Sequence, residues 1–248
     1  MIVIADKEMR QADLEATFEE KGVEREIISI LVSSSQQYFY DSLNQFEIEL
    51  RIRKEIILAS YELYKSGLGF AVFRKTKCNP AYWNRTKDGG FVLKVNIKPS
   101  DAIFDIFKNG SKYRTECATA MMIVYYMALL NVYSENLFNK TFPKIELMNW
   151  HRIDKLLREV GVMRQREDYL PGDRRYFKNP DVNPLTPQWQ GENVIDLGNG
   201  LYYGHGIGIH NANIIIQELN KNRDENADES AGLLNSAGRP DFKRLASQ

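Results

Sequence analysis

With 248 residues, 43% of them hydrophobic and 27% charged, the chain has the make-up of a folded globular domain and lies far from the composition of disordered segments. Its 33 basic and 33 acidic residues cancel, so no net field would hold it to nucleic acid or to an anionic membrane, and neither is an expected partner. The same neutrality removes colloidal repulsion, which suits a protein that ends in an assembly.

Met1-Ile2-Val3-Ile4 opens the chain and then turns polar, too short for the apolar core of a secretory signal, so synthesis in the cytoplasm is expected. Residues 42–65 read as a long amphipathic helix: Ser42 and Gln45 form a capping box, apolar residues recur at Phe46, Leu50, Ile56, Ile57 and Leu63, and Gly67 follows the end. Strand-like runs at 69–73 and 80–86, a turn at 87–90 and the run Phe91 to Val95 predict a hairpin. Pro99-Ser100 starts a short helix that Asn109-Gly110 stops. The stretch 117–133 is the most apolar of all. It falls short of the roughly 20 residues a membrane span needs and contains Thr119 and Asn131, so it predicts a buried central helix. Strands are expected at 145–150, 175–177, 193–197 and 201–210, with Gly198-Asn199-Gly200 as a hairpin loop. A helical run from Asn211 through Leu219 then leads into an acidic, Asn-rich stretch. The organisation expected is one domain over 1–222 and a polar tail over 223–248, frayed or mobile.

The two cysteines, Cys78 and Cys117, do not make a disulfide framework and are expected as free thiols. Cys117 immediately precedes the apolar run, which puts its sulfur at a helix N-terminus, where peptide dipoles and free N–H groups favour thiolate and can bind an oxyanion. A cysteine beside apolar residues is also commonly a small buried hydrophobe, and position alone leaves both readings open. Candidate bases are few: Glu192, beside Trp189 and Gly191, and the histidines at 151, 205 and 210, of which His205 lies between Gly204 and Gly206. No Walker loop, dinucleotide fingerprint, zinc-ligand spacing or EF-hand loop occurs, so no cofactor and no metal is expected.

Several segments, in order, resemble the spore-coat transglutaminase family of Bacillus-type bacteria: Lys65-Ser66-Gly67 with Phe70-Ala71, Glu116-Cys117-Ala118-Thr119-Ala120, Tyr125-Tyr126, Trp150-His151, Tyr176 to Pro180, Trp189 to Ile195, and His205 to Ile209. The resemblance implies a compact single-domain α/β (α+β) fold with an NlpC/P60 papain-like core. In such a core the nucleophile opens a buried central helix packed on a mostly antiparallel sheet. It implies that residues 1–222 are a catalytic transglutaminase domain with Cys117 as nucleophile, Glu192 as its principal partner and Glu116 as a partial substitute. The chain departs from the family at Asn149, where an acidic residue is expected, and over 157–174, which leaves fine substrate preference outside the resemblance.

The implied reaction joins glutamine to lysine side chains with loss of ammonia, through a thioester on Cys117 and without calcium. Phe70, Trp150 and Trp189 are expected as apolar walls that favour a lysine stem over water. Ordinary reference values separate a thiol from a carboxylic acid by about 4 pH units, roughly 5–6 kcal/mol against proton transfer, so Glu192 is expected to sit in surroundings that raise its pKa. The implied partners are glutamine- and lysine-bearing proteins of the spore coat, with synthesis in the mother cell and incorporation into the coat. Two other readings predict different behaviour: an NlpC/P60-like thiol amidase on cell-wall peptides with His205 as base, and a non-enzymatic coat component with Cys117 merely buried.

Overall fold

In the computed structural model, which describes residues 1–16, 18 and 22–248, the N-terminal segments pack on one long helix. Strands β1 (Ile2–Ile4), β2 (Lys7–Glu8) and β3 (Tyr38–Tyr40) form a small sheet in the order β2-β1-β3, with α1 (Gln11–Glu15) and α2 (Val23–Ser33) between β2 and β3 in sequence. Ile2, Ile4, Ile27, Ile28 and Leu31 bury against Phe46 and Leu50 of helix α3 (Leu43–Lys65). This helix starts as the sequence predicts. Ser42 Oγ accepts from the Gln45 N–H at 3.2 Å, while Gln45 Oε1 reaches one residue beyond a regular capping box and accepts from the Asp41 N–H at 2.8 Å.

Next come β4 (Gly69–Phe70), β5 (Trp83–Arg85), β6 (Phe91–Leu93), α4 (Pro99–Lys108), β7 (Arg114–Thr115), α5 (Cys117–Val132), α6 (Glu135–Thr141) and β8 (Glu146–Leu147). The expected hairpin is β5-β6, pairing Trp83 with Leu93 and Arg85 with Phe91, and β8 adds a third strand. The run expected as a strand over 69–73 is shorter: β4 pairs in parallel with β7, and Phe73–Lys75 turns as a 3-10 helix.

The second half builds an antiparallel sheet from β9 (Arg174–Lys178), β10 (Gly191–Gly198), β11 (Leu201–Gly204), β12 (Gly208–Asn211) and β13 (Gly232–Leu233), in the order β12-β11-β10-β9-β13. The single strand expected over 201–210 is two strands, because the Ile207 N–H bonds back to the Gly204 carbonyl and turns the chain at 205–207. Helices α7 (Ala212–Asn220) and α8 (Phe242–Ala246) follow.

The central helix α5 packs against α3 and the sheet, and every side chain from Ala118 to Leu129 is buried. A helix enclosed all round needs no polar face, which is why its sequence lacks helical periodicity. Met121, Met122, Ile123 and Val124 are all 0% exposed, and each contributes about 1.5–3 kcal/mol by leaving water. No helix among the described residues is long and apolar enough to cross a membrane.

The stretch after Arg223, expected as a frayed polar tail, is packed. β13 pairs Gly232 with Lys178 and Leu233 with Phe177, Ala231, Ala237, Phe242 and Leu245 are buried, and the Tyr133 hydroxyl donates to the Leu245 carbonyl at 2.7 Å. Single apolar residues scattered through polar sequence give no periodic signal, yet Ala231, Ala237, Phe242 and Leu245 dock, while Leu234 stays exposed. The stretch is also tied in by charge. Buried Asp173 accepts from Arg53 at 3.0 Å and from Arg239 at 2.6 Å; burial alone would raise its pKa, but the two guanidinium groups hold it below the usual carboxylate range. Removing one member would leave an uncompensated buried charge, a loss of roughly 3–5 kcal/mol.

Candidate active site

Helix α5 begins at Cys117 because Glu116 caps it. The Glu116 carboxylate accepts from the Ala118 N–H at 2.6 Å and the Thr119 N–H at 2.8 Å. Two of the free N–H groups that the sequence suggested for an oxyanion are therefore already occupied. The expectation of a preformed thiolate is also reversed. Burial, with the charges of Glu192 and Glu116 behind it, pushes the Cys117 thiol well above its ordinary pKa.

Glu192 is 3% exposed, at the start of β10, where burial first and then Glu116 push its carboxyl up to about 8, against a lowering pull from the Gly206 N–H that donates to Oε1 at 3.0 Å. This agrees with the raised value expected of it. The close fit depends on glycine: a Cβ at Gly204 would lie 2.9 Å from Glu192 Cγ and 3.0 Å from Oε1. Among the described residues no hydrogen bond joins Glu192 to Cys117. Instead, Cys117 Sγ receives the Asn193 Nδ2 donor at 3.3 Å, and that bond works to lower the thiol pKa.

Asn193 is aimed by Arg174, whose Nη1 donates to Asn193 Oδ1 at 2.6 Å and whose Nε donates to the Val160 carbonyl at 2.8 Å. Arg174 is 2% exposed, its guanidinium lies 4.3 Å above the Trp150 ring, and burial lowers its pKa to about 10. Neither residue was singled out from the sequence. The available signals were an asparagine directly after Glu192 and a charged pair, Arg174-Arg175, opening a strand.

A cavity of about 640 Å³ holds Cys117, Glu116, Asn193 and Arg174, with Phe70, Val72, Trp150, Met163 and Tyr176 on its walls. Phe70 and Trp150 thus stand where the walls were expected. Trp189 is not among the lining residues; it packs against the cluster of Phe177, Val194 and Ile215, while its neighbours Gln188 and Gln190 line the cavity. Asn149 takes a left-handed φ of 49°, which asparagine tolerates better than most residues, and its Oδ1 accepts the Trp150 N–H at 2.6 Å. The Asn149 N–H donates to Thr119 Oγ1 at 2.9 Å, fixing this corner to the start of α5.

His205 is committed elsewhere. Its Nε2 lies 3.1 Å from the Gly69 carbonyl and its Nδ1 lies 3.3 Å from the Tyr203 hydroxyl, and burial lowers its pKa to about 4. A neutral ring donating to a carbonyl from Nε2 and accepting the phenol at Nδ1 ties β11 to β4 rather than serving Cys117. His205→Asn is expected to keep measurable activity with a lowered melting temperature, read from initial rates and thermal unfolding of the same preparation.

A cysteine at the head of a buried helix, flanked by two carboxyl groups and an oriented amide in an apolar-walled cavity, has the parts of a thiol acyl-transfer enzyme. Comparison with known proteins agrees. The profile of the family described as protein-glutamine gamma-glutamyltransferase matches residues 1–248. Protein-glutamine gamma-glutamyltransferases of Bacillus cereus strains B4264 and ATCC 14579 are each 45% identical over 224 residues, 90% of this chain and 80% of theirs. A solved transglutaminase from Geobacillus stearothermophilus, without its C-terminal extension, is 46% identical, with a TM-score of 0.79 over 83% of this chain and 97% of that one. The chain belongs to the protein-glutamine gamma-glutamyltransferase family, an enzyme family of acyltransferases, and its mixed α/β single domain is consistent with a papain-like core.

Proposed function

We propose that Cys117 carries the acyl group of a peptide glutamine as a thioester and passes it to a lysine amine, forming an ε-(γ-glutamyl)lysine cross-link between proteins. The observation that carries this reading is the Cys117 sulfur at the head of α5, hydrogen-bonded by Asn193 and near buried Glu192 and Glu116. Cys117 attacks the glutamine carboxamide as its proton passes to Glu192; Glu192 then gives that proton to the carboxamide nitrogen, which leaves as ammonia while the thioester forms. The entering amine gives its proton to the restored carboxylate, the isopeptide bond forms, and Cys117 is released. Phe70 and Trp150 shield the thioester from water. With the Ala118 and Thr119 N–H groups held by Glu116, the Cys117 N–H, Asn193 Nδ2 and Arg174 Nη2, which has no partner among the described residues, are the donors proposed for the developing oxyanion. Asn193→Ala is therefore expected to lower kcat by about 10²-fold with a smaller change in KM, measured by steady-state amine incorporation.

The resemblance to spore-coat transglutaminases supports coat proteins as substrates, with synthesis in the mother cell. The segment 157–174, where the chain departs from that family, supplies Gly161, Met163 and Arg174 to the cavity wall, so preference among substrates is set partly there. Calcium has no part in the proposed cycle. Activity is expected to be unchanged by excess EGTA, and a large loss restored by calcium would contradict this. The reaction itself is tested by incubating the protein with a glutamine-rich protein and a labelled primary amine while following ammonia. Label incorporation matching ammonia release supports transfer. Ammonia release without label, or cleavage of cell-wall peptides, would point to the amidase instead.

A further inference from the structure

A second cavity, of about 670 Å³, is formed by residues of α3, the 155–170 segment and the residues leading into α8, and none of the catalytic candidates lines it. Its charge is unlike that of the balanced chain: eight arginine and lysine side chains line it against three carboxylates. Asp173 and Asp41 pair with lining residues Arg53, Arg239 and Lys243 and still leave the cations in excess.

Two guanidinium donors in this lining have no hydrogen-bond partner among the described residues. Arg53 is 0% exposed; its Nε donates to Glu49, its Nη1 to Asp173 and the Pro171 carbonyl, and the Phe242 ring lies 4.5 Å from its Cζ. Its Nη2 is buried without a partner among the described residues, and so is the Nε of Arg166. Burial first, then Arg239, Arg164 and Arg53, lower the Arg166 pKa, so these cations crowd one another around one space. Folding alone gives no reason to gather like charges around unused donors, whereas a planar guanidinium matches the oxygens of a phosphate.

The geometry points to this cavity as a binding site for a multiply charged phosphate-type oxyanion, held by Arg53 and Arg166 with Lys155 and Arg158 at its rim. The site is independent of Cys117 and does not rest on the transferase reading. Arg53 itself is a poor test, because it belongs to the buried network with Asp173. Arg166→Gln and the exposed Arg158→Gln remove charge at the cavity, and Arg51→Gln removes one from an exposed position on the same helix. Tripolyphosphate is titrated into the full chain by calorimetry at constant ionic strength. One saturable site is expected, weakened about 10–100-fold by Arg166→Gln, weakened also by Arg158→Gln and unchanged by Arg51→Gln, with amine incorporation by the Arg158 variant unaltered. Absence of saturable binding, unaltered affinity in both cavity variants, or equal losses in all three would overturn the assignment.

Discussion

Cys117→Ser is expected to abolish acyl transfer while the chain folds as before. Serine is nearly isosteric and can still accept the Asn193 amide, so the packing at the head of α5 survives. The chemistry does not, because a hydroxyl is a far weaker nucleophile than a thiolate, and a carboxyl partner is a weak base toward it. Amine incorporation should fall to background with thermal unfolding little changed. Cys78→Ser is the matched control: that thiol is half-buried, its nearest hydrogen-bond acceptor is the Trp83 carbonyl at 3.9 Å, and its loss should leave the rate intact. Loss of activity in the Cys78 variant with retention in the Cys117 variant would mean that the nucleophile has been misassigned.

Glu192→Gln keeps the shape of the side chain and can still accept the Gly206 N–H, but it removes the proton acceptor. The expected loss in kcat is about 10²–10⁴-fold, the range for a general base. Glu116→Gln should cost less, because its main contacts are with the helix N–H groups. The pH dependence follows from the raised value of about 8. Below it Glu192 is protonated and cannot take the thiol proton, so kcat/KM should climb as pH rises through about 8, and this limb should be missing in Glu192→Gln. Cys117 and the two carboxyls titrate as a coupled set, so the limb reports the group as a whole. Stability runs the other way. A folded-state value above the unfolded one favours the fold fully below the unfolded pKa, and that contribution disappears as pH rises through about 8. The wild-type melting temperature should therefore drop over this window more than that of the variant.

The elements that were legible in the sequence are those whose causes are local. The cap at Ser42 fixed the start of α3, and the apolar run after Cys117 announced a buried helix without any face to read. The site was legible only in part, because its decisive contacts join residues far apart. Glu116 looks like a spare carboxylate until the fold makes it the cap of α5, and capping by glutamate carries little sequence signal beside the usual Ser, Thr, Asp or Asn. Asn193 and Arg174 acquire their roles only when β9 and β10 are laid against the head of α5. Trp189 illustrates the opposite case: an aromatic beside a candidate base invites a role in the wall, yet it packs on Phe177 and Ile215 beyond the cavity.

The electrostatics of the site were half legible in the sequence. Burial raises Glu192 as the proposed chemistry requires, but the same burial raises Cys117 as well, so desolvation alone does not close the gap between the proposed acid and base. The Asn193 bond to sulfur, turned toward it by Arg174, is the described contact that favours the thiolate.

The proposed acyl-enzyme is tested most directly by intact and peptide mass spectrometry of the protein quenched in acid after mixing with a short glutamine peptide and no amine. The predicted result is an adduct equal to the peptide less ammonia on the fragment carrying Cys117, discharged when a primary amine is added and absent in Cys117→Ser. An adduct on Cys78, or amine incorporation at full rate in Cys117→Ser, would contradict it.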